Sequence, residues 1–194
     1  MNNSLQEYLN FANKLADAAG NTSMEYFRTS LSIDNKSDES PVTIADKNTE
    51  LKIRSMIEKE YPDHGILGEE FDSINSDAEF IWVIDPIDGT RSYIAGHKDF
   101  GNLISLTQNK KPIIGIINCP AHDERWVGVK NQSSTVNQQT VNTSSVTAIE
   151  DAYIFTSGLY FDEPHLRNAV DKIKNKVRYF RYGGDCYMYG MVAS

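Results

Sequence analysis

The five residues Phe80-Ile81-Trp82-Val83-Ile84 are all apolar, and the run ends directly on Asp85. So short an apolar run, bounded by polar residues, predicts a strand buried on both faces. A carboxylate at the end of a rigid buried strand cannot retreat into water. It needs a partner, and a hard cation is a good one. Asp88 follows after Pro86 and Ile87, so two carboxylates flank a tight turn and can converge on one point or bridge two metals. Gly89 and Thr90 then supply a flexible backbone, a hydroxyl and N–H groups. A helix starting at Thr90-Arg91 would make these a phosphate cradle. The plainer alternative is that Asp85 merely ends the strand and Asp88-Gly89 marks a turn.

The surrounding chain gives this strand its context. Leu5, Leu9, Ala12, Leu15, Ala16 and Ala19 recur at helical spacing, with Gly20 as the expected stop, and a second helical pattern runs through Met24 and Phe27. Residues 34–40 are polar and loop-like. Thr43 is placed to cap a helix running to about Glu60, with Ile44, Leu51, Met56 and Ile57 on or near one face and Tyr61-Pro62 closing it. Strands are expected at Gly65–Gly68, Asn102–Thr107, Pro112–Asn118 and Glu124–Val129, with Asn109-Lys110-Lys111 turning between the second and third. Residues 131–145 are rich in Ser, Thr, Asn and Gln, without Gly or Pro, and read as a hairpin or a linker. A strand near Ala152–Thr156, a helix near Glu163–Lys174, a strand near Val177–Arg181 and a helix from Gly184 complete the order. Helices, then adjacent strands, then a mixed segment predict an α+β fold, not a regular βαβ alternation.

Composition narrows the function classes. The formal net charge is -8, which argues against non-specific binding to nucleic acid. It leaves a phosphate substrate open, because bound cations reverse the local sign of a site. Cys119 and Cys186 form no C-x-x-C pair and are expected as buried free thiols. The N-terminus shows no basic region followed by an apolar one, and no stretch is apolar enough to span a bilayer, so the expected compartment is the cytoplasm. His64, His97, His122 and His165 fit no ligand pattern, although His97 is close enough to Gly96 to face a cleft; Trp82, Trp126, Tyr187 and Tyr189 read as core aromatics.

Other carboxylates strengthen the metal reading. Gly68-Glu69-Glu70 sits at the end of a short apolar strand, and Asp46 lies in the first turn of the helix capped by Thr43. Alone, the glutamates are a solvated surface pair and Asp46 is a favourable charge at a helix start. Together with Asp85 and Asp88 they form an all-oxygen ligand set from separate elements, which suits magnesium better than zinc.

Pro41-Val42-Thr43-Ile44-Ala45-Asp46, Gly68-Glu69-Glu70 and Trp82-Val83-Ile84-Asp85-Pro86-Ile87-Asp88-Gly89-Thr90, in this order and spacing, resemble the inositol monophosphatase family. The resemblance runs along the whole chain. It implies a layered αβαβα sandwich of the sugar-phosphatase type, with residues 1–145 as an N-terminal metal- and phosphate-binding α+β domain and residues 146–194 as the start of a second α/β domain. It implies a magnesium-dependent phosphomonoesterase. Glu69, Asp85, the Ile87 carbonyl and Asp88 match metal ligands. Gly89 and Thr90 match backbone phosphate contacts. Asp46 and Thr90 match the pair that aligns and deprotonates the attacking water, with Glu70 beside them.

Arg91-Ser92-Tyr93-Ile94-Ala95-Gly96 and Arg181-Tyr182-Gly183-Gly184-Asp185-Cys186-Tyr187 look like the histidinol-phosphatase branch. Arg91, Gly184 and Asp185 are then substrate-binding candidates. Asp185 would face the cationic amine of histidinol phosphate; otherwise it is a helix N-cap, and Arg91 a surface residue. The implied reaction is hydrolysis of histidinol phosphate to histidinol and phosphate. An inositol or broad sugar-phosphate phosphatase is the near alternative, and a non-catalytic metal- or phosphate-binding remnant the distant one. In the family a further aspartate completes the metal cluster beyond the point matching Ser194. The chain is therefore expected to be truncated, with the second domain incomplete, apolar surface exposed and little activity by itself. The resemblance implies a homodimer only if the missing layer is not needed for one.

Overall fold

Helix α1 spans Asn3–Tyr26 and buries Phe11, Ala12, Leu15, Ala16 and Ala19 as one stripe. It runs straight through Gly20, which was expected to stop it. The glycine serves a different purpose: a Cβ there would come within 2.9 Å of Asn118 Nδ2 and 3.3 Å of Pro120 Cβ. Gly20 lets the helix lie close to the sheet, at a propensity cost of roughly 1 kcal/mol. The chain is described by a computed structural model covering residues 3–30, 33–35, 41–158 and 163–194. Of the polar segment expected as a loop, residues 36–40 lie outside the described residues.

Strands β1 (Ile33–Asn35) and β2 (Pro41–Thr43) pair antiparallel and lead into helix α2 (Ile44–Glu60), capped by Thr43 as the sequence predicts. The cap fixes the phase of α2 and corrects the expected face. Ile44 and Leu51 are exposed, and the inward stripe is Ala45, Asp46, Thr49, Glu50, Ile53, Arg54 and Ile57. Four of these seven residues are polar, because the stripe supports the carboxylate turn described below.

Seven strands form one sheet in the order β3 (Gly65–Leu67), β4 (Phe80–Asp88), β5 (Gly101–Gln108), β6 (Lys111–Cys119), β7 (Glu124–Val129), β8 (Thr135–Val136) and β9 (Gln139–Thr140). Within this sheet only β3 and β4 pair in parallel. Asn109-Lys110 turns β5 into β6 with both φ positive, at 49° and 63°. Residues 131–145 contain a hairpin, β8–β9. Asn137 and Gln138 supply its left-handed turn at φ 46° and 68°, so no glycine is needed.

Trp82, Ile84, Ile104, Leu106, Ile114 and Ile116 pack with α1 and α2 in the main core. On β4 the pattern alternates: Trp82 and Ile84 are buried, whereas Ile81 and Val83 are only half-buried. The expectation of burial on both faces is thus corrected. An antiparallel neighbour and a thinner cover leave the second face partly open.

Short helix α3 (Thr90–Ile94) follows β4, and the chain after β9 forms β10 (Tyr153–Thr156), α4 (Pro164–Lys174), β11 (Tyr179–Tyr182) and α5 (Asp185–Val192). Strands β10 and β11 pair in parallel as a separate sheet. Helix α5 covers the far face of the large sheet, where Cys186 joins Cys119 and Trp126 in a small core. Both cysteines are free and buried, as expected. Gly190 lies so close to Trp126 that a Cβ would fall 2.6 Å from the indole. The result is an α+β fold in layers: α1 and α2, the seven-stranded sheet, α5, then β10–β11. Tyr189 is not core: it is 74% exposed, and Tyr153, Tyr179, Tyr182 and Val192 are exposed beside it. No described helix is long and apolar enough to cross a membrane.

Candidate active site

The turn that ends β4 is built on a bulge. Asp85 pairs with Leu103 and Asp88 with Gly101, so Pro86 and Ile87 together oppose Asn102. The extra residue frees the Pro86 carbonyl from the ladder, and the Asn102 side-chain amide donates to it at 2.8 Å. Gly89 follows in the left-handed region at φ 84° and starts α3. The amides of Gly89 and Thr90 thus stand at a helix start, where N–H groups have no intrahelical acceptor.

Four carboxylates gather around this turn. Asp46 faces it from α2: its Oδ2 accepts from Thr43 N at 2.8 Å and Thr43 Oγ1 at 2.6 Å, and its Oδ1 lies 3.4 Å from Thr90 Oγ1. The Thr90 hydroxyl also lies 3.1 Å from the Ile87 carbonyl, and its single proton serves one of these two acceptors at a time. Asp88 Oδ2 accepts from the Cys186 amide at 2.6 Å, an anchor from α5. Asp85 Oδ1 is enclosed and has no hydrogen-bond partner among the described residues.

Burial, and then the Glu69 and Asp88 carboxylates, push the Asp85 carboxyl up to about 9. Burial raises Asp46 and Asp88 as well; the Thr43 bonds oppose this at Asp46, and the Cys186 bonds oppose it at Asp88. Mutual repulsion in a partly enclosed turn is a standing electrostatic cost, and a divalent cation removes it. The orphaned Asp85 oxygen and the all-oxygen donor set fit such an ion. The groups are near but not closed up: among the described residues no three His, Cys, Asp or Glu side chains are arranged to hold a metal as they stand.

Glu69 and Glu70 are positioned by a residue the sequence reading missed. Fully buried Glu50 accepts from the amides of Glu69 at 3.0 Å and Glu70 at 2.8 Å through Oε2, and from Arg54 Nε at 2.7 Å through Oε1. Arg54 in turn donates to the Phe71 carbonyl at 2.8 Å. Gly68 is required here, because a Cβ would collide with the Glu50 carboxylate. The signal was present in the sequence: Asp46, Glu50, Ile53, Arg54 and Ile57 share one helical face, with charges at core spacing.

Asp185 reaches the same turn. Its Oδ2 accepts from Ser92 Oγ at 2.7 Å, and it lies over Gly89, where a Cβ would meet that oxygen at 2.9 Å. Asp185 is not the cap of α5; that position is Gly184, at φ 106°. Ser92 is a second residue not anticipated. Arg91, Ser92, His97, Asp99, Arg181 and Gly184 line a cleft of about 880 Å³ between α3 and the β10–β11 sheet. His97 thus faces the cleft. Asp185 lines an adjoining cleft of about 440 Å³. A groove of about 940 Å³ lies between α1 and the β7–β9 edge, and none of Asp46, Glu69, Asp85 and Asp88 lines it. Charge and orphaned donors locate the site, not groove size.

The model of the inositol monophosphatase family matches residues 4–194. The chain belongs to that family. It is 38% identical to the bifunctional phosphatase IMPL2, chloroplastic, of Arabidopsis thaliana over 98% of this chain and 56% of that protein. It is 37% identical to the histidinol-phosphatase of Chlorobaculum parvum over 96% of this chain and 73% of that protein. An inositol monophosphatase from Zymomonas mobilis superposes with a TM-score of 0.83 at 42% identity, covering 96% of this chain and 72% of that one. The chain spans just over half the length of the Arabidopsis relative and nearly three quarters of the other two. Within the family frame, the three motifs read from the sequence are the three segments that meet at this site: β2–α2, the β3 end and the β4–α3 turn.

Proposed function

We propose that this chain carries the catalytic half of a magnesium-dependent phosphomonoesterase whose substrate is histidinol phosphate. The observation that carries the reading is the Asp85 side chain, enclosed with an unpartnered oxygen among Glu69, Asp88 and Asp46, beside a threonine–aspartate pair. In this reading Glu69, Asp85, the Ile87 carbonyl and Asp88 hold the cation, with Glu70 beside them. The chemistry a bound divalent cation supplies is a more acidic water and neutralisation of charge on the phosphoryl and leaving oxygens.

The protein's own groups do the rest. Thr90 Oγ1, 3.4 Å from Asp46 Oδ1, passes its proton toward the carboxylate and orients a water with its lone pair. A carboxyl raised by burial, as Asp46 is, suits a base working near neutral pH. The amides of Gly89 and Thr90 receive phosphate oxygens. Arg91 and Gly184 line the cleft that receives the rest of the substrate. Asp185, fixed by Ser92 beside the phosphate turn, offers a carboxylate to a cationic amine. We assign these roles to residues 1–145 as one domain and 146–194 as the start of a second.

The histidinol-phosphatase relative and the Asp185 placement support the substrate choice. The test is a protein of the relatives' full length, assayed with magnesium against histidinol phosphate and inositol phosphate. Histidinol phosphate is expected to have the higher kcat/KM, and Asp185→Ala to lower it for that substrate more than for inositol phosphate. Preference for inositol phosphate would reject the substrate; no release from either would reject the reaction.

A further inference from the structure

A directional chain of side-chain hydrogen bonds runs from the surface to the carboxylate turn. Asp17 Oδ1 accepts from Arg125 Nη2 at 2.7 Å, and Arg125 Nε donates to Asn118 Oδ1 at 2.9 Å. Asn118 Nδ2 donates to Asn102 Oδ1 at 2.9 Å, and Asn102 Nδ2 to the Pro86 carbonyl at 2.8 Å. Amide orientations are often ambiguous, but both ends of this chain remove the ambiguity. A guanidinium can only donate, so Asn118 must present its oxygen to Arg125. Its nitrogen then faces Asn102, and also reaches the Ala16 carbonyl at 3.2 Å. A carbonyl can only accept, so Asn102 must present its nitrogen to Pro86. From Arg125 inward, the three successive donors point the same way, toward the acidic turn, and bonds so aligned polarise one another.

Both asparagines are buried, Asn102 at 0% and Asn118 at 5% exposure, beside a core that is otherwise mostly apolar. Buried amides are costly unless fully paired, so they are not generic filler. Asn102 opposes the two residues of the β4 bulge, Pro86 and Ile87, which separate Asp85 from Asp88. A bulge carbonyl without a ladder partner would be free to rotate, and with it the spacing of the two carboxylates.

We propose that Asn102 is a positioning residue for the metal-binding turn. It locks the Pro86 carbonyl and thereby the separation of Asp85 and Asp88, and the Arg125–Asn118 pair holds its amide in the only productive orientation. This inference rests on the reading of Asp85 and Asp88 as cation ligands.

The test measures Mn²⁺ affinity of the purified chain by calorimetry, beside thermal melting without metal, for wild type, Asn102→Leu and Asn102→Ser. Leucine keeps the volume and removes the donor; serine is too short to reach Pro86 and serves if the leucine variant does not fold. The expected result is Mn²⁺ binding weakened about tenfold or more in the variant, as is typical when a partner that orients metal ligands is lost. A purely structural role would lower the melting temperature and leave Mn²⁺ affinity unchanged. Unchanged affinity beside tight wild-type binding would overturn the positioning role alone. Absence of Mn²⁺ binding by the wild type would overturn both it and the site on which it rests.

Discussion

Glu50 shows how much one buried charge can organise. Its carboxylate holds two amides of the Glu69-Glu70 segment and pairs with buried Arg54. Removing one member of a buried ion pair leaves the other uncompensated and costs about 3–5 kcal/mol. Glu50→Leu is expected to lose stability on that scale, read from the urea midpoint; a loss below about 1 kcal/mol would show the pair to be dispensable. Asp85 has the opposite sign. Its side chain sits among the Glu69, Asp88 and Asp46 carboxylates, so Asp85→Asn is expected to raise the melting temperature of the metal-free protein and to abolish any further rise on adding Mg²⁺. A lower metal-free melting temperature would mean that the enclosed oxygen stabilises the turn. Asp46, Glu69, Asp85 and Asp88 were legible because carboxylates at element ends are conspicuous in a sequence. Glu50 is visible in the sequence only as a charge at core spacing, and Ser92 and Asn102 not at all; the partners of all three lie 19, 93 and 16 residues away.

At the scale of elements, nearly every strand and helix followed from periodicity and turn chemistry, and the misses have physical causes. Gly20 resembles a helix stop because glycine favours chain ends. In α1 its small size is used sideways, for close approach to Asn118 and Pro120. Ile44 and Leu51 resemble a buried face by hydropathy, but the Thr43 cap rotates α2 so that its charged residues face inward. Helix α5 depends on another small residue. Gly190→Ala would gain helix propensity yet drive a methyl into the Trp126 ring. The expected net effect is a loss of about 1–3 kcal/mol, with a change in tryptophan emission as the indole is displaced. Stabilisation with unchanged emission would show that α5 can slide without cost.

For the whole molecule, acid sensitivity has an identifiable source. Trp82 Nε1 donates to His64 Nδ1 at 3.2 Å, so that nitrogen must carry a lone pair. The ring stacks on Tyr61 and Phe80, and burial holds its pKa below the ordinary value. Because the folded pKa is depressed, this contribution to stability is complete above about pH 6.5 and is lost as pH falls through the lowered value. Wild type is therefore expected to lose more stability between pH 7 and pH 5 than His64→Phe, by urea denaturation at each pH; equal slopes would clear His64. A second global property follows from the carboxylate cluster. Saturating Mg²⁺ should raise the melting temperature over EDTA, by an amount equivalent to about 2.7 kcal/mol at a hundred times the dissociation constant. No shift would mean that the cluster tolerates its own repulsion.

The amide that anchors Asp88 belongs to Cys186, 98 residues further along the chain. Synthesis proceeds from the N-terminus, and domains begin to fold as they emerge. All seven strands of the large sheet are complete at Thr140, so the ribosome has released the acidic turn and its scaffold well before α5 exists to restrain it. A nascent chain paused between those points would hold a folded sheet whose Asp88 still lacks its last tether. The anchoring of Asp88 is thus a late event relative to the folding of the sheet, timed by translation of α5.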